Sequence, residues 1–379
     1  MCFLLDPAVH YLNCAYMSPM PDSVEQAGRV GLARKRQPWT IQASDFFTEV
    51  AAVKKAFAAV LGTRRHEQVA VLPSVSYGMA IVARNLPFGP GQHIVVAGEQ
   101  FPSNVHPWRR LAEERGGAVR AVVPPDERTG RAAAWNDALF DTIDDRTALL
   151  AIAHVHWADG TRFDLPRLAA RAREVGAWVV IDGTQSVGAL DFPFDEVRPD
   201  AVMCAAYKWL MGPYGIALGW FGDVLQDGDP VEETWAGRRG SEDFRALVDY
   251  TDAYGPGSVR FDVGQRSNFI TLPMTIEALR VVKEWGTARI QAHCESLWAP
   301  VLGPLGEAGY AIEDAAWRGH HVVGVRPPAG ADTAALAARL TAARVQVSWR
   351  GTSMRVSPHL YNTPEDMAAL RAALTRDDP

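Results

Sequence analysis

The chain has 379 residues, with 38 basic and 44 acidic side chains for a formal net charge of −6, and it is 48% hydrophobic and 22% charged. That length accommodates one large and one smaller domain, and the composition excludes a collagen-like, disordered or small disulfide-stapled chain. No basic run is longer than Arg34-Lys35-Arg36, so nothing in the sequence supports a nucleic-acid partner.

The opening residues, Met1 to Pro7, lack a basic leader and an apolar region long enough for a secretory signal. The expectation is a protein that stays inside the cell, in the cytoplasm. Apolar residues at helical spacing (Phe46, Val50, Val53, Phe57, Val60, Leu61) predict a helix over 45–61 closed by Gly62, after another over 22–37. Short apolar runs then follow at 68–72, 93–97, 118–123, 148–153, 178–181, 201–204 and 216–221, mostly separated by helical or polar segments such as 105–115 and 165–175. Strands apolar on both faces that alternate with helices predict an α/β domain with a mostly parallel seven-stranded sheet, covered on both sides.

Beyond about Asp262 the chain shifts to Ala-rich helices (275–284, 288–297, 333–343) and short strands (322–325, 345–348, 353–356), the pattern of a small α+β C-terminal domain. Tyr254-Gly255-Pro256-Gly257 reads as a turn between the two parts. The most apolar stretch, 200–221, is broken by Lys208, Pro213 and glycines, so it is not a membrane span. Cys2, Cys14, Cys204 and Cys294 are too far apart for a zinc site and read as reduced thiols. His154 and His156 point to one side of a strand, but no third ligand follows at suitable spacing and no metal is expected.

In an open parallel sheet, ligands bind at the carboxyl ends of the strands. After 178–181 comes Asp182-Gly183-Thr184-Gln185, a carboxylate that taken alone could equally cap a turn. After 201–204 comes Tyr207-Lys208-Trp209, a lysine in apolar surroundings. Desolvation favours its neutral, nucleophilic amine, although a lysine can also lay its stem on apolar surface and keep its head in water. An aspartate and a lysine so placed are the two groups pyridoxal 5′-phosphate needs, one to keep the pyridine nitrogen protonated and one to hold the aldehyde. Pro73-Ser74-Val75-Ser76-Tyr77-Gly78 leads into a helix whose N-terminus suits a phosphate or is an ordinary cap. Phe101, in Glu99-Gln100-Phe101-Pro102-Ser103-Asn104, offers a face to stack on a heterocycle or to pack in a core.

Together these segments resemble the class V branch of the fold-type I pyridoxal phosphate enzymes, the superfamily of cysteine desulfurases, kynureninases and isopenicillin N epimerases. The resemblance runs from Tyr11-Leu12-Asn13-Cys14-Ala15 through Val155-His156-Trp157-Ala158-Asp159-Gly160, the Asp182 and Lys208 segments, and Met354-Arg355-Val356-Ser357-Pro358-His359. It implies a large cofactor-binding domain over 16–262, with 1–15 and 263–379 forming the small domain. It further implies that Lys208 carries the cofactor as an internal aldimine and moves the α-proton, that Asp182 pairs with the pyridine nitrogen, and that Gln185 bonds the ring oxygen. Phe101 would stack on the ring, while Ser76, the Val75 and Tyr77 backbone and the Tyr207 hydroxyl would hold the phosphate. Trp235 and Asn268 resemble residues that reach the phosphate from a neighbouring subunit, which implies a homodimer with shared sites. Arg355 matches the arginine that grips a substrate α-carboxylate, a task suited to a bidentate donor.

The expected function is an enzyme acting on an amino acid through an external aldimine, with transamination leading. The alternatives are a β-lyase that cleaves C–S or C–C bonds in the kynureninase manner, an epimerase, and a degenerate, non-catalytic binding protein. No cysteine follows Cys294, where the resemblance places the nucleophile of a cysteine desulfurase, and persulfide chemistry by that route is not expected. No G-x-G-x-x-G or P-loop supports a nucleotide-binding alternative.

Overall fold

The structure is a computed structural model, and it describes residues 3–127 and 130–375. Cys2, the first residues of the leader reading and the last four residues of the predicted small domain lie outside the described residues. Seven strands build the main sheet: β1 (Val69–Leu72), β2 (His93–Ala97), β3 (Ala118–Val122), β4 (Thr147–Ala153), β5 (Trp178–Asp182), β6 (Ala201–Ala205) and β7 (Ala217–Phe221). Their spatial order is β1-β7-β6-β5-β4-β2-β3. Only β7 runs against its neighbours, pairing antiparallel with both β1 and β6. The other neighbours pair in parallel, so the carboxyl ends of β1, β2, β4, β5 and β6 share one edge of the sheet.

The strands are buried on both faces, which is why they read as continuous apolar runs and not as alternating ones. Val69, Val71, Val95, Ile152, Val179 and Val202 face one core with the 45–61 helix; Ala70, Leu72, Val96, Ala151, Val180 and Met203 face the other with Trp108 and Met79. Gly62 at φ +91° and Gly116 at φ +72° end the helices Asp45–Leu61 and His106–Arg115 in the left-handed region that only glycine enters without cost.

A second sheet is antiparallel and four-stranded, in the order Ser348–Arg350, Ser353–Val356, Val323–Arg326, Ala311–Ile312. Its core joins Trp298, Leu336, Leu340, Met354 and Leu370 from the sheet and the helices Thr287–Glu307, Thr333–Ala342 and Pro364–Thr375. The strand expected over 345–348 divides because its halves have different partners. Val345–Gln346 pairs in parallel with His10–Tyr11, and Ser348–Arg350 pairs with Ser353–Val356.

The turn expected at 254–257 does not lead away from the large sheet. A Cβ on Gly257 would lie 2.2 Å from the Glu67 carbonyl oxygen, and Asp262 accepts a 2.7 Å hydrogen bond from the β1 amide of Val71. Both contacts keep this stretch against the edge strand. Among the described residues no helix is long and apolar enough to cross a membrane.

Candidate active site

The shared edge of carboxyl ends opens on a cavity of about 280 Å³. Its walls come from five strand ends and the start of β7: Ser74 to Ser76 after β1, Phe101 after β2, Trp157 after β4, Asp182 to Gln185 at β5, Tyr207 and Lys208 after β6, and Tyr214 to Ala217 entering β7. Among the described residues, Asp182 and Lys208 are its only acidic and basic lining residues.

Lys208 is 7% exposed, and its Nζ lies 5.5 Å from the ring centroids of both Phe101 and Tyr207. Burial, reinforced by the positive charge of Arg355 and opposed by Asp182, pushes its amine down to about 8. At pH 7 roughly a tenth of such an amine is neutral, far more than of an ordinary lysine at about 10.4. Asp182, the last residue of β5, accepts a 3.0 Å bond from the Thr184 amide. Burial raises its carboxyl above the ordinary range, with the Thr184 bonds and Lys208 pulling the other way.

Gln185 is held on both sides. Its Nε2 donates to the Ala15 carbonyl at 3.2 Å and its Oε1 accepts from Trp209 Nε1 at 2.8 Å, which leaves one amide N–H for a ligand. The Val75–Asn85 helix begins at Ser74, whose side chain accepts from the Tyr77 amide at 3.2 Å, and the Ser74 and Ser76 hydroxyls are 2.9 Å apart. The Val75 and Ser76 amides fall in the first turn, where no helical carbonyl is available to them. This end therefore presents hydroxyls and N–H groups suited to an anion.

Phe101 is 37% exposed and meets Trp157 edge to face, with centroids 5.3 Å apart. Behind them lies a buried group that sequence reasoning had not assigned a role. His156 Nδ1 lies 3.1 Å from Asp159 Oδ1, and Arg131 also pairs with Asp159. His156 Nε2 and Trp157 Nε1 both reach the Glu99 carbonyl, at 3.1 and 2.6 Å, fixing the turn that carries Phe101. Burial alone would raise the Asp159 carboxyl, but His156 and Arg131 hold it well below the usual carboxylate range. The only sequence signal for this group is the His-x-x-Asp-Gly spacing; Arg131 comes from a separate helix.

Thr184, Ser74 and Tyr214 are further wall residues that no sequence reading singled out. His154 packs against Phe192, 5.7 Å between centroids, and the described residues hold no group of three or more His, Cys, Asp or Glu that could bind a metal ion.

Three expected site residues are not in the wall of this cavity. Arg355 is 1% exposed and lies behind it, donating from Nη1 to the Trp157 carbonyl. Burial, with Arg350 nearby, lowers its guanidinium to about 9. Trp235 and Asn268 share a different cavity with Lys35, Phe46 and Gln265. There Asn268 Oδ1 accepts from the Ile270 and Thr271 amides at 3.1 and 3.0 Å.

A mostly parallel sheet of this order, with a buried lysine and aspartate at its carboxyl edge, is the architecture of the fold-type I pyridoxal phosphate enzymes. The chain belongs to the aminotransferase class-V family, whose model matches residues 40–370. It is 27% identical over 320 residues to the uncharacterized aminotransferase YcbU of Bacillus subtilis (strain 168), covering 83% of this chain and 80% of the relative. It is 25% identical over 400 residues to the isopenicillin N epimerase of Amycolatopsis lactamdurans, covering 98% and 95%. The cysteine desulfurase CsdA of Escherichia coli has the same fold, with a TM-score of 0.80 at 18% identity over 98% of this chain and 95% of that one.

These findings correct one expectation. Cysteine desulfurases stand among both the sequence relatives and the structural neighbours, and the family includes that activity, so its exclusion does not stand. A cysteine missing from one loop speaks to one placement of a nucleophile, whereas the fold and the cofactor lysine are common to the family's reactions. The family's cofactor is pyridoxal 5′-phosphate, and the donor set fits it: an amine and a carboxylate of opposite charge in one cavity, a helix N-terminus with two hydroxyls, and an aromatic face.

Proposed function

We propose that the protein is a pyridoxal 5′-phosphate-dependent enzyme acting on an amino acid, with transamination as its reaction. The observation that supports this reading is the pairing of Lys208 and Asp182 as the only charged side chains, among the described residues, lining a cavity whose other walls are hydroxyl, amide, aromatic and aliphatic. The cofactor, when bound, supplies the electron sink that lets a bond at the substrate Cα break.

The chain's residues divide the remaining work. Lys208 would anchor the cofactor through its neutral amine and then move the proton at the substrate Cα. Asp182 would hold its charge opposite the pyridine nitrogen, Gln185 would donate its remaining N–H to the ring oxygen, and Phe101 would cover the ring face. Ser76, the Val75 amide and the Tyr207 hydroxyl would hold the phosphate; in a homodimer, Trp235 and Asn268 of the second copy would complete that grip. Arg355 takes the substrate's α-carboxylate from behind Trp157.

The epimerase relative, which aligns over nearly the whole chain, supports a second reading in which Lys208 returns the proton to the opposite face. The test is to mix cofactor-loaded protein with a panel of amino acids and no keto acid. Stoichiometric conversion of the cofactor to its amino form with release of keto acid supports transamination. Many turnovers without that conversion would replace it with the epimerase or lyase reading.

A further inference from the structure

The hairpin that carries Arg355 carries a second arginine on the same face. Ser348 pairs with Arg355 and Arg350 pairs with Ser353 across the two antiparallel strands. Directly paired residues project to one side, and so do residues two apart along a strand. Arg350 and Arg355 are therefore diagonal neighbours, with Cα atoms roughly 7–8 Å apart. Trp349 and Met354, the pair between them, belong to the opposite face, where Met354 is fully buried in the small core.

Both guanidiniums converge on Trp157, a wall of the cavity. Arg355 donates to its carbonyl, and the Arg350 guanidinium carbon lies 5.4 Å from its ring centroid. Stacking on an indole occupies one face of Arg350 and leaves its in-plane donors available for hydrogen bonds. Among the described residues its one hydrogen bond runs from Nη1 to its neighbour's carbonyl, Trp349 O, at 2.7 Å. The Nε of Arg350 and the Nε of Arg355 are both buried without an acceptor, and among the described residues no carboxylate pairs with either arginine. Both arginines lie close enough to Lys208 to help push its amine down, which places them on its side of the cavity. Like charges so placed repel, and buried donors without acceptors are costly, so the pair is suited to anions arriving from outside.

We propose that Arg350 and Arg355 together recognise an amino acid bearing a second anionic group on its side chain, Arg355 taking the α-carboxylate and Arg350 the distal anion. This rests on the amino-acid reading above and narrows it to a substrate class. Planar guanidiniums match carboxylates in bidentate geometry, which gives selectivity for an acid over its amide.

The test uses cofactor-loaded protein and ligands that cannot react. Succinate, glutarate and adipate are titrated by calorimetry against their monoamides, in the wild type and in Arg350→Gln and Arg350→Lys. The expected result is a preference of roughly tenfold or more for at least one diacid over its monoamide. That ratio should fall to near one in Arg350→Gln and be partly kept in Arg350→Lys, which retains charge without the planar fork. Equal affinity for every diacid and its monoamide in the wild type, or an undiminished ratio in Arg350→Gln, overturns the proposal.

A parallel titration with L-glutamate and L-glutamine, read by the cofactor's absorption, separates the two readings. A diacid preference without any amino-acid response would defeat the proposed function and leave the anion site supported. Equal responses to both amino acids, with no diacid preference, would keep the function and defeat the anion site.

Discussion

Replacing Lys208 with methionine keeps most of the side chain's volume and removes its charge, and the cofactor-free protein should become more stable near neutral pH. The amine is 7% exposed and burial lowers it from 10.5 to about 8. At about 1.4 kcal/mol per pH unit, that drop corresponds to a penalty on the order of 3 kcal/mol for holding the ammonium in the fold. The folded-state value lies below the unfolded one, so the penalty is complete below about pH 8, shrinks between 8 and 10.5, and is gone above. Urea unfolding of cofactor-free wild type and Lys208→Met at pH 7 and again near pH 10.5 gives the difference directly. The variant should be the more stable at pH 7, and the two should converge at the higher pH. Equal stability at pH 7, or a difference that does not change with pH, would refute the claim that burial strains this lysine.

Other outcomes follow from the same geometry. Asp182→Asn should still bind the cofactor, seen by its absorption, but lose roughly 100-fold or more in kcat, because a preorganised charge at the reacting ring is gone. Arg355→Ala should raise KM by roughly 30-fold or more with a much smaller change in kcat, measured by steady-state kinetics over a wide substrate range. Gly160→Ala should lower stability by on the order of 2 kcal/mol in thermal or urea unfolding. Gly160 has φ +76°, and a Cβ there would lie 2.3 Å from the Val322 carbonyl oxygen.

The main sheet was legible in the sequence because strands buried on both faces leave uninterrupted apolar runs, and β2 begins and ends where its run does. That Asp182 and Lys208 share one cavity was legible for a related reason: each follows such a run, at the edge where the carboxyl ends of the strands gather. What the sequence did not show depends on contacts between distant segments. Arg131, Asp159 and His156 meet only because the Arg131–Thr142 helix packs beside β3 and β2, and the Glu99 carbonyl that His156 reaches belongs to another strand end. Arg350 was invisible because its meaning lies in a hairpin register, Arg350 opposite Ser353 and Ser348 opposite Arg355, that composition does not reveal. The divided strand at 345–350 is the same lesson in backbone form, since one run serves two partners.

On the proposed reading, Lys208 anchors pyridoxal 5′-phosphate in this cavity. Borohydride reduction of the cofactor-loaded protein, followed by proteolysis and peptide mass spectrometry, tests it most directly. The expected result is a stoichiometric phosphopyridoxyl group on the peptide containing Lys208 and on none containing Lys35, Lys54, Lys55 or Lys283. An unmodified Lys208 peptide, or the cofactor fixed to another lysine, would contradict it.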